Sequence, residues 1–227
     1  TWSPKHGRTS GSFGSHLDNV DGQPGAVYGV LNNITSPPGM ASSSTLNVYS
    51  LESPTLAGLK LLAELPAGGL LANWEFTGDA ENAYILTATN AEKTSYFNAD
   101  LWRVARDGGA PQKRAVSRNV PYSDLFKDLE ALHMLKIPAG PLLVVAGNTT
   151  ADLVYEVDLE TGAWKIKISG EDFGAPVDRG ECRAYDASRH RWYVGCKNIA
   201  VIDLSVMKVV GRVGVIHQKP RRQGGYY

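Results

Sequence analysis

Leu153-Val154-Tyr155-Glu156-Val157-Asp158-Leu159-Glu160-Thr161-Gly162-Ala163-Trp164-Lys165-Ile166-Lys167-Ile168 reads as a strand, a turn and a second strand in one line. Val, Tyr and Leu dominate the first five residues. Lys165 and Lys167 alternate with Trp164, Ile166 and Ile168 in the last five. A period of two belongs to a pleated strand; a helix would repeat every 3.6 residues. Glu160-Thr161-Gly162 supplies the glycine that a turn position at positive φ requires.

The same pattern recurs on both sides. Before it stand Ala26-Val27-Tyr28-Gly29-Val30-Leu31, Thr45-Leu46-Asn47-Val48-Tyr49 and a third strand over 59–65. Then come Ala83-Tyr84-Ile85-Leu86-Thr87-Ala88, Asp100-Leu101-Trp102-Arg103-Val104 and 112–116. The quoted unit itself is preceded by Leu142-Leu143-Val144-Val145-Ala146. After it come Trp192-Tyr193-Val194-Gly195-Cys196, Ile199-Ala200-Val201-Ile202 and 208–213. The middle strands end at Tyr49, Val104, Val157 and Ile202, giving steps of 55, 53 and 45 residues. Propeller blades of four strands repeat every ~40–50 residues, with insertions falling in loops. A further strand is expected before each triplet, at 12–17, 71–76, 131–135 and 181–185. The expected fold is therefore all-β, a β-propeller of about four blades, each of four antiparallel strands, in a single domain. The blades span approximately 12–65, 70–116, 131–168 and 181–213, with a C-terminal latch or tail at 214–227. Long loops are expected at 32–44, at 117–130, where Tyr122 to Leu129 has room for one or two helical turns, and at 169–180.

This rhythm resembles β-propellers broadly, and most of all the lactonase-like and YVTN-type repeat propellers. The resemblance rests on the run from Leu153 to Gly162 and its counterparts. Trp-Asp strand endings, kelch double glycines and haemopexin-type Asp-Ala openings are absent. Lactonase-like enzymes hold a metal with Glu, Asn and Asp from six or seven blades. Their pattern does not map residue by residue here, so the resemblance implies no catalytic residue and no metal ligand.

Composition excludes several classes. The 227 residues are 43% hydrophobic, enough for a real core. Lys plus Arg and Asp plus Glu both number 23, so the basic footprint of a nucleic-acid binder is missing. No apolar run approaches the ~18 residues that a membrane span needs. The sequence begins with Thr1 rather than Met, which is expected of a processed chain or a fragment.

Cys182 and Cys196 are the two cysteines. If Tyr185 sits opposite Tyr193 across a turn at 187–190, Cys182 faces Cys196 within disulfide range. Two buried free thiols are the alternative. Asn33-Ile34-Thr35 and Asn148-Thr149-Thr150 are glycosylation sequons expected in surface loops. Together these features point to a secreted or extracellular protein, with a lumenal one as the alternative.

Candidate chemistry is sparse. No Gly-x-Ser-x-Gly elbow and no phosphate-binding loop is present, no His pair has metal-ligand spacing, and no cofactor is expected. His190 is expected exposed in a turn and His133 in an innermost strand. Trp74, Trp102, Trp164 and Trp192 lie in strands, where packing is the simpler role than a sugar platform. Propellers bind ligands where their innermost strands converge. Aligning units on Tyr84, Leu143 and Trp192 puts Asn73, Leu132 and Glu181 on one level, Trp74, His133 and Cys182 on the next, and Glu75, Met134 and Arg183 on the third. Asn73, Glu75, His133, Glu181 and Arg183 are thus channel candidates for a small polar ligand or a cation. Mutual pairing of these groups is the competing expectation.

Three functions fit. One is a non-catalytic interaction or structural module with a protein partner or a homo-oligomer. The others are a lactonase-like metal-dependent hydrolase and a small-ligand or glycan binder at the channel. Gly214-Val215-Ile216-His217 reads as a surplus innermost strand. Either it latches the first blade and closes the ring, or the ring is incomplete and docks on another chain.

Overall fold

The computed structural model describes residues 17–19, 27–35, 43–51, 58–66, 71–90, 97–115, 133–147, 152–174, 177, 183–195 and 198–214. Sixteen strands and one helical turn cover them. The first sheet holds β1 (Leu17–Asn19), β2 (Val27–Thr35), β3 (Ser43–Leu51) and β4 (Leu59–Pro66). The second holds β5 (Leu71–Gly78), β6 (Asn82–Asn90), β7 (Phe97–Ala105) and β8 (Gln112–Ala115). The third holds β9 (His133–Lys136), β10 (Leu142–Gly147), β11 (Asp152–Val157) and β12 (Trp164–Ile168). The fourth holds β13 (Arg183–Asp186), β14 (Arg191–Val194), β15 (Asn198–Asp203) and β16 (Lys208–Gly214). Every sheet is an antiparallel meander with its strands in sequence order. The all-β expectation, with four units of four strands, holds.

Two boundaries differ from expectation. The described part of the first unit's first strand is Leu17–Asn19, not 12–17. The hairpin β2–β3 runs out to the pair Thr35↔Ser43, so half of the expected loop at 32–44 is ladder. Ile34, Thr35 and Thr45 are β-branched and extend the pairing. The connection after β12 contains a helical turn, α1 (Gly170–Phe173), capped where the Ser169 hydroxyl accepts from the Asp172 N–H. The expected turns at 122–129 and the latch at 215–217 lie outside the described residues.

The sheets stack face to face, and alternate residues of one strand enter different cores. Ala83 and Ile85 of β6 pack with Tyr28, Val30, Leu46 and Val48 of the first sheet. Tyr84 and Leu86, one residue on, pack with Met134, Val144 and Tyr155 of the third. On β10, Leu142 and Val144 face the second sheet, while Leu143 and Val145 face Trp192, Val194 and Ala200 of the fourth. This explains the continuous apolar runs in β6 and β10: a strand buried on both faces loses its polar alternation. Phe173 of α1 plugs the third core. Each of the four described tryptophans packs. Trp192 is buried, Trp164 meets Tyr155 edge-on at 5.2 Å, Trp74 stacks on Phe76 at 6.2 Å, and Lys113 caps the Trp102 ring at 5.3 Å.

An aspartate organises five of the tight hairpins. The Asp79 carboxylate accepts from the N–H groups of Glu81 and Asn82, Asp158 from Glu160 and Thr161, and Asp186 from Ser188 and Arg189. Asp107 accepts from Gly109 N–H and Asp203 from Ser205 N–H. These are Asx turns, in which the side chain imitates a backbone turn. All five join first to second or third to fourth strands, so within each meander they share one end.

Candidate functional site

The residues expected to line a channel stand on or near the first strands of the sheets. Glu75 in β5 is buried, and Arg183 in β13 reaches across from the fourth sheet to the second. One arm of its guanidinium pairs with the Glu75 carboxylate, and the other donates to the Phe76 carbonyl at 2.8 Å. The guanidinium plane also lies 5.8 Å from the Phe76 ring centroid. Both ionic side chains are at most a tenth exposed (10% and 7%), so neither has solvent as its main partner. His133 is buried in β9, and His190 is exposed in its turn at φ 50°. Asn73 lies in β5 opposite Ala88, and Glu181 is outside the described residues.

The levels differ from expectation. Val104, Val157 and Ile202 sit opposite Ala83, Leu142 and Trp192. Counted inward from there, Glu75 is level with His133, and Arg183 with Phe76 and Met134. The cause is loop length. Four residues, 79–82, separate the paired Gly78 and Ala83, whereas five, 137–141, separate Lys136 and Leu142. The extra residue draws β9 back by one and brings His133 beside the level of Glu75.

The cysteine register is corrected for a related reason. Asp186 pairs with Arg191 and Tyr185 with Trp192, not Tyr193. A loop of four residues with Asp186 as its Asx cap sets that register, so the argument that put Cys182 opposite Cys196 no longer holds. Both cysteines lie outside the described residues. Asn33 is not in a loop: it is half-buried in β2, paired with Thr45. Asn148 lies outside the described residues.

A second polar cluster had no signal in the sequence. At the hairpin end of the sheets, Lys136 of β9 is buried and donates from Nζ to the Ile137 and Gly140 carbonyls at 2.9 and 2.7 Å. Its amine also stands 3.9 Å from Asp79 of the second sheet. Tyr84 donates to the Asp79 carboxylate at 3.0 Å, and Tyr28 of the first sheet donates to the Asp79 carbonyl at 3.0 Å. Arg103 donates to Asn82 at 2.9 Å. Burial pushes the Lys136 amine below its ordinary value, against the pull of Asp79. Burial pushes the Tyr28 phenol up to about 12, and burial together with Asp79 pushes Tyr84 up as well. A lysine with a lowered pKa is a usual mark of a nucleophile or base. Here two carbonyls accept from it and Asp79 stands at ion-pair distance, so with Tyr28, Asp79 and Tyr84 it forms a cross-brace of the first three sheets.

Among the described residues, no three His, Cys, Asp or Glu side chains group as a metal site would require. No described helix is long and apolar enough to cross a membrane. No family model matches this sequence, and no curated protein matches it.

Proposed function

We propose that the four sheets are successive blades of a propeller and that the chain acts as a non-catalytic interaction or structural module, extracellular or within a larger assembly. The meander order, the face-to-face stacking and the reach of Arg183 from the fourth sheet to Glu75 of the second support the propeller geometry. One observation carries the interaction role. The stack ends on apolar side chains that nothing in the described chain covers, Leu59 and Leu61 on the first sheet and Val213 on the fourth, and Val210 of β16 and Val206 of the turn before it are exposed as well. Exposed apolar groups gathered at the two ends of a stack mark a surface built for contact.

The innermost strands fit this reading. A divalent metal at Glu75 would have to displace the Arg183 guanidinium from a buried pair, which is costly. Glycosylation at Asn33 and Asn148 and a bond between Cys182 and Cys196 belong to the same reading of a secreted protein. A glycosidase mobility shift and a thiol count on the denatured, unreduced protein test them. The functional test is turnover. Purified protein is assayed with calcium, manganese or zinc against a panel of lactones and aryl esters. No metal-dependent hydrolysis is expected; hydrolysis lost in Glu75→Gln would overturn the module reading.

A further inference from the structure

We propose that the occupant of the end faces is a second copy of this chain, bound head to tail, with the fourth sheet of one copy against the first sheet of the next. The inference rests on the module reading and names its partner.

The argument is quasi-equivalence of positions. Tyr49, Val104, Val157 and Ile202 hold the same place in the four middle strands. In the second, third and fourth sheets this residue enters the core shared with the preceding sheet or stands on that face. The position three residues earlier is Leu46, Leu101, Val154 and Ile199. In the first three sheets it enters the core shared with the following sheet. Each sheet thus has a leading face and a trailing face, and one always packs on the other.

The outer strands of the first, third and fourth sheets repeat the rule; in the second the residue opposite Leu101 is the exposed Arg114. Leu65 pairs with Leu46, Ile168 with Val154 and Val213 with Ile199. Leu65 is 1% and Ile168 2% exposed, because the next sheet covers them, yet Val213 is 50% exposed. On the leading side, Leu61 pairs with Tyr49, Trp164 with Val157 and Val209 with Ile202. Trp164 and Val209 pack on internal cores, whereas Leu61 is 45% exposed. The chain therefore carries one unused trailing face and one unused leading face, the two halves of an interface it already forms three times.

Within one copy these two faces do not cover each other, as the exposure of Leu61 and Val213 records. Between copies they match in chemistry. The leading face of the first sheet presents Thr45, Asn47, Tyr49, Leu59 and Leu61, with Glu64, opposite Asn47, as its charge at the end away from the β3–β4 turn. The trailing face of the fourth presents Tyr193, Ile199 and Val213 around the buried Val201, its charges Asp186, Arg191, Asp203 and Lys208 gathered at the hairpin end. No like charges are opposed. Such a contact is heterologous, so two copies close into a ring of eight sheets or further copies extend it.

The test is sedimentation of the full chain over a wide concentration range, with Leu61→Asp and Val213→Lys as variants. Both side chains are solvent-accessible, so the circular dichroism spectra are expected to match wild type. Leu59→Asp stands in should Leu61→Asp fail to fold. Wild type is expected to associate reversibly, and each variant alone to dimerise at least about 100-fold more weakly. Mixing the two variants is expected to restore association, because one pairing of the mixture joins two unaltered faces. A wild type monomeric at every concentration, a variant associating like wild type, or a mixture that stays monomeric would each overturn the proposal. A monomeric wild type leaves the module free to take another partner. Metal-dependent turnover would instead remove the module reading and leave the association to be observed.

Discussion

At the scale of single residues, the buried pair and one glycine have the most to lose. Arg183 and Glu75 neutralise each other away from solvent, so removing one takes the counter-charge from the other. Arg183→Met is expected to cost about 3–5 kcal/mol, while Glu75→Leu with Arg183→Met recovers most of that loss. Urea unfolding of the two proteins measures the difference; equal stabilities would show that the pair is not coupled. Gly78 is the second point. A Cβ there would lie 2.7 Å from the Tyr28 ring, at the join of the first two sheets. Gly78→Ala is expected to destabilise by about 1–3 kcal/mol through overpacking. Tyr28→Phe, which loses only the bond to the Asp79 carbonyl, is expected to cost about 1 kcal/mol. Thermal melts compare them, and a neutral Gly78→Ala would mean that the interface yields.

The hairpins form the next scale. Asp158, Asp186 and Asp203 are held below the ordinary carboxylate value of 3.8, Asp158 chiefly by the N–H groups of Thr161 and Glu160, the other two chiefly by the hydroxyls of Ser188 and Ser205. A carboxylate whose folded pKa is depressed contributes stability above its unfolded value and loses it as pH falls through the folded one. The melting temperature is therefore expected to fall as pH drops below about 3.8. The triple Asn variant at these positions, whose amides do not titrate, should show a flatter acid limb. An unchanged limb would assign acid sensitivity to other groups. In each of these turns the aspartate accepts bonds that the bent backbone leaves open, while Gly162, His190 and Met207 take the positive φ.

Taken whole, the molecule is a stack whose middle is protected and whose ends are not. The strands β6 and β10 are buried on both faces, while β4 and β16 lie at the margins of the end sheets. Amide hydrogen exchange is expected to be slowest in β6 and β10 and fastest in β4 and β16, with β16 slowing at concentrations where copies associate. Slow exchange in β16 at high dilution would point instead to closure by the chain itself. The cross-brace of Tyr28, Asp79, Tyr84 and Lys136 ties the first three sheets together, and it is sensitive to base. The tyrosines have raised folded values, so their contribution is complete below pH 10 and lost as pH climbs towards about 12 for Tyr28. Alkaline unfolding beginning above pH 10 is expected, with the Tyr28→Phe variant less steep; identical curves would place the alkaline transition elsewhere.

The strands, their grouping in fours and their order were all legible in the amino-acid sequence. Strand period, β-branched runs and turn residues are local, and each repeats along the chain as in the run from Leu153 to Ile168. The place of Glu75, His133 and Arg183 on first strands was legible too. How they relate depends on where the sheets meet. One extra residue in the β9–β10 loop changes which side chains share a level, and a loop of four residues fixes the register before Cys182. The partners Arg183 and Glu75 stand 108 residues apart, and Lys136 meets Asp79 of another sheet. No local periodicity encodes such pairs, because they arise where separate sheets approach. The same holds for the end faces. Val213 reads in sequence like Ile168, and the stack buries one and leaves the other in water because a sheet follows the first and none follows the second among the described residues.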